Sequence, residues 1–513
     1  MEFRENRRVE GGGHGPLAFQ PGKNVLIGHI QQRLELVEFR LAKFVQEIRR
    51  EGAENQVDFL EAAACAAKTQ ASPSPFGGAF SDIVTHGSPY SARKSALPVV
   101  IWRGLARLAG GIALYDQSIT KAGTPMDFEL SEEDRMLKDL VHKFVEKELM
   151  PLEAGVLARE ASGKGWGLGA EEHVRLDKIS KELGLWGLDA PTDIGGSDLP
   201  SVSMIGVNEE MGRTITPYTL PPDSPNLRML MATVNERQRE AYLAPYVRGE
   251  TISAIGISEP GAGADPAGMT TRAERDGEDW ILNGRKIWIS RAAEADFTIV
   301  MAITDKEKRA RGGISAFLVD KNAPGFKVLR RIPMIGGAAT YEVVLEDCRV
   351  QGWKLLGQEG NGFAPMQLRL GTRRIQMAAW SIGMAQRALD MMCEFAPQRV
   401  TFGQPLSERQ AIQWWVSDAA TRIHAARLMT YDCARKLDQG RDVRLEISMI
   451  KAYATEMAWE IVDRAMQTFG AMGMTKELPL QLMASKIRTM RIYDGPTEVH
   501  KWVVARNLLG AKR

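Results

Sequence analysis

The segments TISAIGISEPGAGAD (residues 251–265) and DWILNGRKIWIS (residues 279–290) mark a change in the pattern of the chain. These segments and the four that follow are short, rich in β-branched residues and bounded by turns, which is typical of strands. Within the second segment, Asn283 and Gly284 stand between two apolar runs, and this dipeptide predicts a hairpin turn. The four later segments are residues 296–304, 314–320, 325–331 and 340–350.

Helical periodicity lies on both sides of these strands. Before them it covers residues 171–183, 203–211 and 235–246, and after Gly362 long segments rich in Ala, Leu and Met continue to the end. The order is therefore helices, then strands, then helices. Because strands and helices do not alternate, this order disfavours a doubly wound nucleotide-binding fold.

Residues 1–125 differ in composition from the rest of the chain. Glycine runs, an alanine cluster and SPSPFGGAF (residues 72–80) surround one stretch with helical periodicity, residues 31–50. Met126 opens a different pattern, in which Ser131 precedes an acidic first turn and a long amphipathic segment, as at a helix start. We interpret residues 1–125 as a partly helical, otherwise loosely structured extension of unknown role, or as a segment upstream of a natural start at Met126.

Composition limits the classes of function. The chain has 513 residues, of which 44% are hydrophobic and 25% charged, as in a globular protein of several domains. A net charge of +2 provides no general attraction to nucleic acid or to an acidic membrane. No membrane span or secretory signal is predicted. The four cysteines are far apart and indicate a reducing compartment without a disulfide framework: Cys65, Cys348, Cys393 and Cys433.

Motifs for dinucleotides and metals are not found. Gly261, Gly263 and Gly268 do not match G-x-G-x-x-G, and they stand between strands rather than at the start of a helix. The seven histidines are scattered, and no pair has the spacing of metal ligands. We therefore expect no bound metal.

Five blocks resemble, in order, the signature segments of acyl-CoA dehydrogenases. The resemblance implies an α+β fold with an N-terminal helical domain (126–250), a central β-barrel or sandwich domain (251–360) and a C-terminal four-helix bundle (361–513). The blocks are SEPGAGAD (258–265), NGRKIWIS (283–290), RVTFG (399–403) with Arg409 and Gln410, QTFGAMG (467–473), and YDGPTE (493–498).

The resemblance also implies FAD as the cofactor. Trp288 would supply a flat apolar wall for the flavin, and Ser258 and Ser290 would supply hydroxyl groups. In the family a neighbouring subunit provides the Arg-x-x-Phe and Gln-x-x-Gly blocks, so we expect a homodimer or homotetramer. The implied FAD contacts are Ile257, Ser258, Gly263, Ala264, Trp288, Ile289, Ser290, Arg399, Phe402, Gln410, Gln467, Phe469, Gly470, Pro496, Thr497 and Glu498.

The implied reaction is the α,β-dehydrogenation of an acyl-CoA thioester, as in fatty acid β-oxidation, with electrons passed to an electron-transfer flavoprotein. The resemblance places Asp494 at the catalytic base, where most members carry a glutamate whose reach is longer by one C–C bond, roughly 1.5 Å. Ala264, Arg374 and Gly495 align with substrate contacts. In another subgroup the acid aligns with Arg373, which cannot act as a base. The same Asp-Gly-Pro segment would also make a good turn into a final helix.

Two other functions of the same superfamily stay open at this point. One is a flavin oxidase acting on an acyl-CoA or a nitroalkane, and the other is a DNA-associated alkylation-response flavoprotein. The near-zero net charge disfavours the second. We expect a cytoplasmic enzyme if the source is bacterial, and a mitochondrial-matrix or peroxisomal one if it is eukaryotic.

Overall fold

The computed structural model describes residues 130–510. These residues follow the expected order of helices, strands and helices, which confirms the α+β class. The helix predicted at residues 31–50, and Cys65, lie outside the described residues. The N-terminal helices are α1 (Glu132–Phe144), α2 (Glu153–Ala161), α3 (Ala170–Glu182), α4 (Ser201–Gly212), α5 (Ser224–Met231), α6 (Glu236–Gln238) and α7 (Ala244–Arg248).

Helix α1 begins where the sequence predicts it. The Ser131 hydroxyl accepts a hydrogen bond from the Asp134 main-chain N–H at 3.0 Å, which satisfies one of the free donors of the first turn. Acidic side chains in that turn also interact favourably with the positive end of the helix dipole. Val141 and Phe144 are buried and pack with Leu176 of α3 in one apolar cluster. The amphipathic pattern thus places α1 against the rest of the helical domain.

The central domain is one eight-stranded sheet. Its strand order is β6-β7-β3-β2-β4-β5-β8, and β1 pairs in parallel with β4. Alternating residues of these strands build a buried cluster that includes Trp280, Phe317 and Val343. The strands are β1 (Ser253–Gly256), β2 (Arg272–Asp276), β3 (Asp279–Ile289), β4 (Phe297–Ile303), β5 (Ile314–Asp320), β6 (Phe326–Pro333), β7 (Ala339–Val350) and β8 (Leu355–Leu356).

The hairpin predicted at Asn283 and Gly284 is wrong. Strand β3 runs through both residues, and its pairing with β7 shifts register there, as at a β-bulge. Asn283 exchanges two hydrogen bonds with Asp347 of β7. A Cβ atom at Gly284 would lie 2.7 Å from the Thr271 Cα atom, so the glycine permits a close approach of two backbones. Asn283 and Gly284 therefore stabilise the pairing of β3 with its neighbouring strand and do not form a hairpin turn.

The C-terminal part is helical, and four of its helices, α8 to α11, supply most of its buried apolar core, as expected. Val156 of α2 and Ile205 of α4 pack into the same cluster, and α12 packs beside α10. A short two-stranded hairpin, β9 (Val400–Thr401) and β10 (Gln404–Pro405), follows α8. No described helix has the length and apolar character needed to cross a membrane. The helices are α8 (Phe363–Gln398), α9 (Gln410–Asp438), α10 (Arg444–Phe469), α11 (Leu480–Met490) and α12 (Thr497–Leu508).

Candidate active site

The glycine-rich loop after β1 is held against β3. The Ile287 main-chain N–H donates to the Ser258 carbonyl oxygen at 3.0 Å, and Glu259 and Ala262 exchange main-chain hydrogen bonds across a tight turn. Gly263 has no atom within 4 Å of the position that a Cβ would take, and Gly263 and Ala264 are exposed. The loop therefore presents backbone to solvent at the place where the sequence predicts a cofactor.

A buried ion pair inside this loop was not predicted. Lys286 of β3 is 0% exposed and Glu259 is 4% exposed, and their Nζ and Oε1 atoms are 2.8 Å apart. The Glu259 carboxylate also accepts hydrogen bonds from the main-chain N–H groups of Thr270 and Thr271. The pair thereby fixes the loop to both neighbouring strands. The sequence does not indicate this pair, because most lysines are exposed and nothing in the pattern of charges marks Lys286 as buried.

Burial and pairing compete in setting the pKa values of these two groups. Burial raises the pKa of Glu259, but the Lys286 ammonium and the hydrogen bonds to the carboxylate outweigh it and hold that pKa at about 2. Burial lowers the pKa of Lys286 to about 8, in spite of the attraction to Glu259. Both groups are therefore charged at neutral pH, and each neutralises the other.

Trp288 stands at the end of β3 with an unusual backbone. Its φ angle is +64°, in the left-handed region that large side chains rarely adopt, and its side chain is 52% exposed. Ser290 is exposed and Ser258 is half-buried, so both hydroxyls are accessible. Ile289 is buried, which leaves only its main chain for a ligand. An exposed indole with hydroxyls and open backbone nearby suits a flat, polar-edged ring system such as a flavin.

Asp494 lies in the turn between α11 and α12, and several cationic side chains hold that turn. Arg369 Nη1 donates to Asp494 Oδ1 at 2.8 Å, and Arg374 Nε donates to the Asp494 carbonyl oxygen at 2.8 Å. Lys451 Nζ donates to the Gly495 carbonyl oxygen at 2.5 Å. Asp494 and Gly495 have φ angles of +52° and +98°. Burial lowers the pKa of Lys451 to about 8, which leaves it charged at neutral pH. The carboxylate is thus displayed on a strained, firmly held backbone.

His500 supports the same turn as an uncharged residue. Burial, and then the nearby charges of Arg374 and Lys451, lower its pKa to about 3. A Cβ atom at Gly495 would lie 2.9 Å from His500 Nε2, so the imidazole explains why glycine follows Asp494. His500 Nδ1 and the Thr497 hydroxyl are buried without a hydrogen-bond partner in the described residues. These two polar atoms are free for a ligand that enters beside the turn.

Two arginines one turn apart on α8 connect the Asp494 turn to the N-terminal domain. Arg373 pairs with both carboxylate oxygens of Asp223, at 2.5 and 2.6 Å. Arg369 Nε donates to Asn226 Oδ1 at 3.2 Å, and the Asn226 amide donates to the Ser253 hydroxyl at 2.9 Å. Ser253 belongs to β1, so these contacts join Asp494 to the strand that precedes the glycine-rich loop.

Most of the remaining sequence-predicted cofactor contacts are exposed in the single chain, whereas Phe469, Pro496 and Thr497 are partly or fully buried. Phe402 is 99% exposed at the tip of the β9–β10 hairpin and has a φ angle of +50°. Phe469 stacks on Phe395, with ring centroids 4.2 Å apart. Pro496 is half-buried and Thr497 buried at the start of α12. No hydrogen bond within residues 130–510 joins the exposed group to the glycine-rich loop or to Asp494. That group is Arg399, Phe402, Gln410, Gln467, Gly470 and Glu498.

Comparison with known protein families shows to which family the chain belongs. Models of the N-terminal, middle and C-terminal domains of acyl-CoA dehydrogenase match residues 131–250, 254–348 and 360–509. The (R)-benzylsuccinyl-CoA dehydrogenase of Thauera aromatica is 41% identical over 75% of this chain and 97% of its own length. The chain belongs to the acyl-CoA dehydrogenase family. The resemblance seen in the sequence is thereby confirmed.

Solved structures agree with this membership. The butyryl-CoA dehydrogenase of Megasphaera elsdenii is 32% identical and has a TM-score of 0.68, covering 75% of this chain and 100% of its own. A glutaryl-coenzyme A dehydrogenase in complex with glutaryl-CoA is 30% identical, with a TM-score of 0.68, over 75% of this chain and 98% of its own. This acyl-CoA dehydrogenase is an FAD-dependent oxidoreductase. The exposed Trp288, the accessible hydroxyls and the free polar atoms beside Asp494 fit that cofactor.

Proposed function

We propose that this acyl-CoA dehydrogenase removes hydrogen from Cα and Cβ of an acyl-CoA thioester, and that Asp494 accepts the α-proton. The single observation that carries the assignment is the placement of the Asp494 carboxylate on a positive-φ turn, fixed by Arg369, Arg374 and Lys451. A proton acceptor must be held in one position relative to the bond that it breaks. The three contacts and the positive-φ backbone provide that position.

The α-proton of a thioester is a weak acid, so its removal needs support on the carbonyl side. We propose that the main-chain N–H of Asp494 donates to the thioester oxygen and stabilises the charge that develops there. Arg374 and Lys451 already occupy the carbonyl oxygens of Asp494 and Gly495, which keeps this backbone rigid. Trp288 and the hydroxyls of Ser258 and Ser290 would hold FAD, which would supply the acceptor for the hydride from Cβ.

An electron-transfer flavoprotein is the proposed acceptor of the electrons. Two similar proteins support this partner by their names. One is the caffeyl-CoA reductase-Etf complex subunit CarC of Acetobacterium woodii, which is 34% identical over 74% of this chain and 99% of its own. The other is a chain in the structure "Electron transferring flavoprotein of Acidaminococcus fermentans", which is 33% identical, with a TM-score of 0.67, and covers 75% of this chain and 100% of its own. A flavin oxidase is the alternative, and fast reoxidation of the reduced flavin by oxygen would favour it.

We also propose that the enzyme is a homodimer or homotetramer in which the FAD of one subunit contacts the next. The exposed positions of Arg399, Phe402, Gln410 and Gln467 support this arrangement, because a second subunit would bury the aromatic ring that none of residues 130–510 covers at the hairpin tip. The names of the relatives do not agree on an acyl group, since they include benzylsuccinyl-CoA, caffeyl-CoA and short-chain acyl-CoA.

An anaerobic titration of the purified yellow protein tests the proposed reaction. Acyl-CoA thioesters of different length and branching are added, the main visible flavin band is followed, and the thioester product is analysed by mass spectrometry. We expect bleaching by one class of thioester and a product lighter by two hydrogens. A bound flavin that no thioester bleaches would contradict the proposal.

A further inference from the structure

Cationic side chains outnumber carboxylates in the hydrogen bonds around the Asp494 turn. In the hydrogen bonds around this turn four cationic side chains donate but only two carboxylates accept, because Arg374 and Lys451 donate to main-chain carbonyl oxygens; the carboxylate of Glu498 acts on Lys451 only through its charge. His500 is uncharged at neutral pH and does not change this balance. The cationic residues are Arg369, Arg373, Arg374 and Lys451, and the carboxylates are Asp223 and Asp494.

Arg369 is the member of this group that the proposed reaction leaves without a counter-charge. It is 8% exposed, and Asp494 is the only carboxylate to which it donates within residues 130–510. When Asp494 takes up the α-proton, its carboxylate becomes neutral. A guanidinium cannot lose its own proton in a protein, and a buried cation without an anion is costly. An anion that arrives with the substrate would remove that cost.

The guanidinium of Arg369 keeps one nitrogen without a described hydrogen bond. Its Nε donates to Asn226 and its Nη1 donates to Asp494, so the guanidinium is held by an uncharged amide as well as by the base. No hydrogen bond within the described part of the chain uses Nη2. A guanidinium presents its donors as a planar fork that suits carboxylates. Arg373 lies one helical turn further along α8, on the same face, where Asp223 supplies its counter-charge.

We propose that the substrate of this enzyme is the CoA thioester of a dicarboxylic acid, and that Arg369 Nη2 binds its free carboxylate, with Arg373 beside it. This inference rests on the proposed function. Because Asp494 and the substrate carboxylate share one guanidinium, the free carboxylate lies only a few carbons from Cα. The structure thus assigns Arg369 as a specificity-determining residue, which binds the substrate and positions the base.

Matched pairs of substrates test the proposal on the FAD-loaded enzyme. Succinyl-, glutaryl- and adipyl-CoA are each compared with the monocarboxylic thioester of equal carbon number, butanoyl-, pentanoyl- and hexanoyl-CoA, by the rate and concentration dependence of anaerobic flavin bleaching. One charge-assisted hydrogen bond predicts at least about a tenfold preference for one dicarboxylic member over its partner. The variants are Arg369→Gln, Arg369→Lys and, as a control, Arg488→Gln at an exposed position of α11.

We expect Arg369→Gln to abolish the preference through a raised KM for the dicarboxylic thioester, Arg369→Lys to retain part of it, and Arg488→Gln to retain all of it. Equal or faster bleaching by every monocarboxylic thioester in the unaltered enzyme overturns the proposal and leaves the dehydrogenase function standing. Equal losses for both members of a pair in Arg369→Gln also overturn it, since Arg369 then only positions Asp494. If no thioester bleaches the flavin, both the proposed function and this inference fail.

Discussion

The two carboxylates at the centre of the site, Glu259 and Asp494, are paired in the same way and surrounded differently. Each accepts a hydrogen bond from one cationic side chain at 2.8 Å. Glu259 is also saturated by donors from Thr270 and Thr271, and with Lys286 it forms a neutral, closed unit. Asp494 has one side-chain donor and lies in positively charged surroundings. The comparison suggests two roles for an ion pair. The Glu259–Lys286 pair, whose charges balance, fixes a loop, whereas the Arg369–Asp494 pair holds a carboxylate that we propose to accept a proton.

The largest effect on the reaction rate is expected when the side chain of Asp494 loses its charge. Asp494→Asn keeps the size of the side chain but removes the proton acceptor, so flavin bleaching by a substrate thioester should slow by about 10²–10⁴-fold. FAD content should stay unchanged, because the turn is held through its carbonyl oxygens. Stopped-flow absorbance of the anaerobic enzyme measures this rate. A rate within about tenfold of the unaltered enzyme would return Asp494 to the role of a turn residue.

Removal of one partner from the Glu259–Lys286 pair should lower the stability of the fold rather than act directly on the reaction rate. Glu259→Gln leaves Lys286 buried without a carboxylate, which should lower the free energy of unfolding by about 3–5 kcal/mol. Denaturant titration measures this change, and the FAD content of the purified variant should fall with it. The double variant Glu259→Gln/Lys286→Met is the matched control and should recover most of the loss. Equal stability of Glu259→Gln and the unaltered protein would show that the pair does not hold the loop.

The fold was predictable from the sequence to the extent that local periodicity determines it. The change of period at residue 251 and the cap at Ser131 both correspond to the observed elements. The dipeptide at Asn283 was misread because its local turn preference is overridden by bonds to Asp347, more than sixty positions away.

The candidate site was predictable only where motifs carry it. The resemblance pointed to Asp494 and Trp288, and the structure shows how Asp494 is held and that the side chain of Trp288 is exposed. Arg369, Asn226 and the Glu259–Lys286 pair were missed. Arg369 lies 125 positions from Asp494 in sequence, and no spacing rule reports which residue of a helix face meets a distant loop.

Acid should weaken the closed pair through the low pKa of Glu259. That pKa is about 2 in the folded protein, below the ordinary value of 4.5, so the unfolded chain binds more protons between these pH values. The stabilisation is complete above pH 4.5 and is lost as the pH falls toward about 2. Thermal unfolding measured across this range should show a shallower pH dependence in Glu259→Gln/Lys286→Met. An identical pH dependence would contradict the role of Glu259.

The smallest effect on stability is expected at the hairpin tip. Phe402→Ser removes a ring that is 99% exposed in the single chain, so its free energy of unfolding should change by less than about 0.5 kcal/mol. If the ring packs on a second subunit, sedimentation should nevertheless show weaker association, and FAD should dissociate more readily. Unchanged association and FAD retention would remove Phe402 from the proposed subunit contact.

The central claim is that Asp494 removes the α-proton of an acyl-CoA, and isotopic substitution tests it most directly. The rate of anaerobic flavin bleaching is measured with the best thioester of the titration, unlabelled and deuterated at Cα, in the unaltered enzyme and in Asp494→Asn. We predict that deuterium slows bleaching in the unaltered enzyme and that the variant is nearly inactive with both substrates. Bleaching at the same rate with and without deuterium, together with an active Asp494→Asn enzyme, would contradict the claim.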